Sequence, residues 1–119
     1  MIPALPIFVY GSLRKGMTQH AKLSDAPFLG HAVTRPEFTL FDSGAWPAAV
    51  HGGTTAIVGE LYQVTNKKMA EIDRYERHPD FFSRQKIVLA SQLEAWIWIY
   101  ISDLPLEWIA IPDGCWRRH

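Results

Sequence analysis

Apolar residues in this chain fall mostly into short runs between turn residues, and only one stretch has a clear helical stripe. Residues 7–10, Ile7-Phe8-Val9-Tyr10, form an apolar and aromatic run that stops at Gly11, the pattern of a buried strand entering a glycine turn. Residues 28–34 and 37–41 read as strands parted by Arg35-Pro36, and residues 55–64 as a long strand. Along that strand Ala56, Val58, Glu60, Tyr62 and Val64 share one face, and Ile57, Gly59, Leu61 and Gln63 the other. Residues 84–89 and 93–101 are two further strands, the second apolar on both faces beyond Glu94, as a central strand would be. Residues 18–23 suit a short helix with Thr18 as N-cap, and residues 66–77 form the best helix, capped by Thr65 or Asn66. Met69, Ile72 and Glu76 lie on one stripe of it, with Asp73 at the edge, and Pro79 stops the helix soon afterwards. Asp42-Ser43-Gly44, His51-Gly52-Gly53 and Ile111-Pro112-Asp113-Gly114 are turns, and Trp46-Pro47 continues an irregular loop. Many strands, few helices and short connections predict an α+β fold built on a curved sheet or small β-barrel.

At 119 residues without repeat or linker, residues 1–119 are expected to form one domain. Twelve basic residues balance twelve acidic ones, so nothing supports nucleic-acid binding, which normally shows a basic stripe. Trp116-Arg117-Arg118-His119 reads as a solvated basic tail. Cys115 is the one cysteine, which excludes an intrachain disulfide and reads as a structural thiol. No segment approaches the ~18 apolar residues of a membrane span, and the first ten residues have no basic leader segment. The expected location is the cytoplasm.

The chemistry centres on two segments. A strand ending in the turn 11–16 can leave consecutive backbone N–H groups free to hold an anion or oxyanion. Glu76 occupies a core-facing position near a helix C-terminus; burial and the negative end of the helix both raise a carboxyl pKa towards the ~6–7 suited to acid–base work. The competing reading is a frayed helix end with Glu76 in water. Asp73 is expected to be exposed or ion-paired. Glu60 shares a face with Tyr62 and reads as an outward-facing charge, with pocket lining as the alternative. Arg84 fits either a bidentate grip on a substrate carboxylate or a structural ion pair.

Other motifs lead less far. Residues 11–18 nearly match a phosphate-binding P-loop, but Met17 stands where the lysine is required. His20, His31, His51, His78 and His119 form no metal-ligand spacing, so no metal is expected. Ser12 lacks the Gly-x-Ser-x-Gly frame of a nucleophile elbow. Among the tryptophans, Trp46 is the best placed to line a cleft.

Phe8-Val9-Tyr10-Gly11-Ser12-Leu13, Trp46-Pro47-Ala48, Gly59-Glu60-Leu61-Tyr62, Ile72-Asp73-Arg74-Tyr75-Glu76, Phe82-Ser83-Arg84, Trp98-Ile99-Tyr100 and Gly114-Cys115-Trp116 follow one another in order. Together they resemble the gamma-glutamylcyclotransferase-like superfamily, including its gamma-glutamylamine cyclotransferase branch, over nearly the whole chain. The resemblance implies a small barrel with flanking helices, a cavity and no cofactor. It places a substrate-holding backbone loop on Tyr10, Gly11, Ser12 and Leu13, and the acid–base glutamate on Glu76. It makes Tyr100 a further pocket residue and Arg84 a motif residue. Phe82 stands where that family usually has tyrosine, and Arg77 where glycine is common.

The expected reaction is cyclisation of a γ-glutamyl amide to 5-oxoproline with release of an amine. The substrate supplies its own nucleophile, in keeping with the lack of a credible serine or cysteine one. The alternative is a non-catalytic module that binds a γ-glutamyl or amino-acid ligand in the same cavity. In either case the partner is a small molecule.

Overall fold

The apolar runs pair into two sheets in the computed structural model, which describes residues 4–117. Met1–Pro3, part of the segment read as lacking a leader, and Arg118 and His119 of the basic tail lie outside the described residues. The larger sheet has strand order β2 (Phe28–Val33), β5 (Val58–Tyr62), β1 (Ile7–Val9), β7 (Glu94–Tyr100) and β6 (Phe82–Val88). The smaller orders β4 (Pro47–His51), β3 (Phe38–Asp42) and β8 (Ile109–Ala110).

In the larger sheet β1 pairs antiparallel with β5, Ile7 opposite Tyr62, and parallel with β7, Ile7 opposite Trp96. That makes the sheet mixed, and β7 is an interior strand, as its two apolar faces predicted. Period-2 alternation then divides the core. Phe8, Ala95, Ile97 and Ile99 face Phe38, Leu40 and Ala49 of the smaller sheet, while Ile7, Val9, Trp98 and Tyr100 face a second cluster containing Ile72 and Phe82. Neither sheet closes on itself, so the expected barrel is corrected to two open, packed sheets. β3 and β4 form their own ladder and cover one face of the larger sheet instead of extending it. A lone bridge between Thr34 and Leu89 joins the ends of edge strands β2 and β6.

The helical content is one α-helix, α1 (Asn66–Tyr75), and a single 3-10 turn (His20–Leu23) among the described residues. Thr65 caps α1 by accepting a hydrogen bond from the Lys68 N–H at 3.1 Å. Its stripe buries Ile72 completely, with Met69 packed beside it. α1 ends two residues before the expected boundary, because Arg77 turns into the left-handed region at φ 57°. Thr18 is not an N-cap: the 3-10 turn starts after Gln19, with no side-chain cap.

Two further expectations are corrected. Pro47 opens a strand, β4, paired with β3 from Asp42 opposite Pro47 to Phe38 opposite His51, so Trp46-Pro47 leads into sheet. Trp116 is not part of a solvated tail but is 4 % exposed within the core. Gly114, at φ 71°, makes the turn that brings it there and accepts a hydrogen bond from the Val58 N–H.

Ile72 is the contact through which α1 rests on the sheet. Ile72→Ala is expected to cost about 2–5 kcal/mol in urea unfolding, the range for an aliphatic side chain removed from a closed core.

Candidate active site

β1 ends at a cavity of about 330 Å³, the size of a small-molecule site. Its walls come from the turn after β1, from Trp46-Pro47, from the end of α1 and from Phe81-Phe82. Gly11 is required by proximity: a Cβ there would stand 2.9 Å from the ring of Pro47.

The turn is tied down through its carbonyls. The Gly11 carbonyl accepts from the Arg14 backbone N–H at 3.1 Å and from Arg14 Nε at 3.2 Å. The Ser12 carbonyl accepts from the Gln19 N–H at 2.9 Å, and the Leu13 carbonyl meets His20 Nδ1 at 2.9 Å. In a trans peptide the C=O and the following N–H point in opposite directions. Fixing the Gly11 and Ser12 carbonyls therefore aims the Ser12 and Leu13 N–H groups away from those anchors. Both residues line the cavity, and among the described residues neither N–H donates to a protein acceptor.

Two buried charges support this loop from behind. Arg14 also donates from Nη2 to the Trp116 carbonyl, coupling the loop to the C-terminal segment. Glu60, only 7 % exposed, accepts from the Lys15 N–H and from the Tyr62 hydroxyl, each at 2.9 Å. The outward-facing reading of Glu60 is corrected: the 11–16 turn folds over its face of β5 and consumes the carboxylate as a backbone acceptor. Burial, and then the Glu60 carboxylate, push the Tyr62 phenol pKa well up.

Glu76 caps the C-terminus of α1, its N–H bonded to the Ile72 carbonyl at 2.8 Å, and its side chain reaches the cavity. Among the described residues its carboxyl has neither hydrogen-bond donor nor cation, and burial raises its pKa from 4.5 to about 7. The helix itself ends at Tyr75, and the Glu76 side chain is half-buried against the cavity instead of standing free in water as the frayed-end alternative has it. Tyr75 beside it reaches across to the turn, its hydroxyl 2.9 Å from Ser12 Oγ. Arg77 follows in a left-handed conformation that costs a non-glycine residue about 1–2 kcal/mol.

The remaining candidates occupy different places. Trp46 lines the cavity, and so does Tyr10, whose hydroxyl is committed to donating to the Trp98 carbonyl and accepting from the Ala49 N–H. Burial drives the Tyr10 phenol pKa far up. Tyr100 stands behind the lining, donating to the Asp103 carbonyl at 2.6 Å and backing Phe81 and Phe82 with its ring. Arg84 lies away from the cavity. Its Nε donates to Asp73 at 2.9 Å, Trp98 Nε1 donates to the same carboxylate at 3.0 Å, and the Arg84 N–H donates to His78 Nδ1. Asp73 is therefore ion-paired, and the pair clamps the end of α1 to β6 and β7. Among the described residues no group of three or more His, Cys, Asp or Glu side chains is arranged to hold a metal ion. No helix there is long and apolar enough to cross a membrane.

Residues 7–118 match the family model described as gamma-glutamyl cyclotransferase, AIG2-like. The chain belongs to this family. A Vibrio cholerae protein provisionally named a gamma-glutamylcyclotransferase is 38% identical over 110 residues, covering 92% of this chain and 93% of that one. The bovine gamma-glutamylaminecyclotransferase is 29% identical over 121 residues, covering 90% and 71%. A crystal structure of a mouse AIG2-like protein superposes with a TM-score of 0.80 at 20% identity, covering 98% of this chain and 90% of that one, a likeness of fold. In this AIG2-like chain the cavity also draws in Tyr75, Arg77, Phe81 and Phe82. The aromatic pair after Pro79 and the arginine where glycine is common were the available signals.

A carboxyl whose pKa is raised on folding stabilises the fold fully below its unfolded pKa, and that contribution is lost as pH rises through the folded value. Relative to Glu76→Gln, the wild type is expected to lose up to about 3 kcal/mol of stability between pH 4.5 and pH 8, as the carboxyl titrates near 7. Urea unfolding of both proteins across that range measures the difference.

Proposed function

We propose that this chain cyclises a γ-glutamyl amide, releasing 5-oxoproline and an amine, in the cytoplasm and without a cofactor. The observation that carries the reading is the juxtaposition, on one cavity, of an unpaired carboxyl poised near neutrality with backbone N–H groups lacking a partner.

An α-ammonium with a reference pKa of ~8 must lose a proton before it can attack. Glu76 as carboxylate takes that proton. The freed amine adds to the γ-carbonyl, forming the ring C–N bond, while the N–H groups of Ser12 and Leu13 hold the carbonyl oxygen as charge develops on it. The tetrahedral carbon then expels the original amide nitrogen as Glu76 returns that proton to it, and the ring nitrogen, cationic since the addition, gives its second proton through the same carboxylate to the released amine, which leaves as an ammonium. Protons thus pass from attacking to leaving nitrogen, Glu76 ends as it began, and no water is consumed. Tyr10, Gly11, Trp46 and Pro47 shape the cavity that folds the substrate on itself, and holding amine and carbonyl together is worth ~7–11 kcal/mol. Arg84 and Tyr100 act here by fixing the walls, not by touching substrate.

Glu76→Gln is expected to reduce 5-oxoproline release from γ-glutamyl amides by at least about a hundredfold, while the variant still binds the substrate. Turnover at the wild-type rate in the variant would contradict the mechanism. Retained binding without turnover in both proteins would favour a binding module. For the wild type, kcat/KM should rise with pH and level off above an apparent pKa of about 7, read from initial rates between pH 5 and pH 9.

A further inference from the structure

Arg77 is a cavity residue that the proposed chemistry leaves without a task. Its backbone is fixed on both sides: its N–H donates to the Arg74 carbonyl at 3.1 Å, and its carbonyl accepts from the N–H groups of Asp80 at 3.1 Å and Phe81 at 3.0 Å. Its left-handed φ of 57° is one that glycine would adopt freely. From that position the guanidinium lies 5.1 Å over the Phe81 ring, and Phe81 in turn packs edge-on against Trp46, ring centres 5.6 Å apart.

This part of the cavity is an aromatic wall with a positive charge at its rim. Arg77 is the single cation among the lining residues, and Glu76 is the single acid. Among the described residues the Arg77 guanidinium enters no ion pair. Its fork of donors matches a carboxylate bidentately, and its charge repels a second cation. The aromatic faces of Phe81 and Trp46 favour an apolar side chain beside that carboxylate.

We propose that Arg77 is a specificity-determining residue that selects leaving amines carrying a carboxylate next to an apolar or aromatic side chain. The preferred substrates are then γ-glutamyl derivatives of apolar amino acids, and γ-glutamyl polyamines are excluded. This rests on the cyclisation reading for the reaction itself, but the recognition can be measured without turnover.

The test compares γ-glutamyl-L-phenylalanine with γ-glutamyl-phenethylamine, which differ only in the carboxylate of the leaving amine. Release of 5-oxoproline is measured for wild type, Arg77→Gly and Arg77→Lys, and calorimetric binding is measured in the Glu76→Gln background with and without Arg77→Gly. Glycine suits the left-handed position, so that variant keeps the local backbone. The wild type should favour the phenylalanine compound by about tenfold or more in kcat/KM, the size expected of one charge-assisted pair. Arg77→Gly should bring the ratio close to one, chiefly through KM, and Arg77→Lys should restore part of it. A wild-type ratio near one, or a ratio unchanged in Arg77→Gly, would overturn the proposal. An equal loss on both compounds would also overturn it, by placing Arg77 on the glutamyl carboxylate they share. If binding shows the preference and its loss while no 5-oxoproline forms, the specificity role stands and the cyclisation reading fails. Absence of both binding and turnover defeats the two together.

Discussion

The structure depends on keeping one carboxyl group at a largely apolar cavity where, among the described residues, no cation or donor pairs with it to offset its desolvation. Such a group resists ionisation, and on its own would draw the helix end that carries it towards water. The chain opposes this with contacts on the same helix. Ile72, one turn earlier, is fully buried, and Asp73, three residues before Glu76, is held by the Arg84 guanidinium and the Trp98 indole. The Thr65 cap fixes the other end. The Asp73–Arg84 pair thus ties the last turn of α1, which leads into Glu76, to β6 and β7.

A second constraint sets the opposite wall. Backbone N–H groups are useful to a developing oxyanion only if they are already aimed and unoccupied. Here two buried side chains of opposite charge hold the turn from behind, Arg14 through the Gly11 carbonyl and Glu60 through the Lys15 N–H. Both are anchored in the core, Arg14 by the Trp116 carbonyl and Glu60 by the Tyr62 hydroxyl. Because β1 lies between β5 and β7, one mixed sheet carries the turn, its Glu60 support and the strands to which the helix end is clamped. The site is thus mounted on rigid elements, and that preorganisation is what the proposed cyclisation, with no enzyme nucleophile, would require.

Much of this was legible along the chain, for identifiable reasons. Residues 7–10 and 93–101 carry long apolar signals, and both are interior strands of the larger sheet. The i, i+3, i+7 stripe predicts Glu76 on the same side as Ile72, and in the structure Glu76 lines the cavity. β4 was missed because Pro47-Ala48-Ala49 carries weak strand propensity, and its pairing with β3 is a tertiary choice. β8 has only two residues. Glu60 was misjudged because alternation reports which residues share a face, not what covers that face; the cover comes from a turn some 45 residues away in sequence. The α+β class holds while the barrel is only a loose description, since strand pattern does not say whether β3 and β4 extend a sheet or pack upon it.

The most direct test of the account is the ionisation of Glu76 itself. With 13C-labelled glutamate, the Glu76 carboxyl resonance, assigned by its loss in Glu76→Gln, can be followed from pH 3 to pH 9. A midpoint near 7 is the predicted result, well separated from the ~4.3 of an ordinary glutamate. A midpoint close to that ordinary value would mean a solvated or paired carboxylate, and would contradict the claim that burial prepares this residue to carry protons.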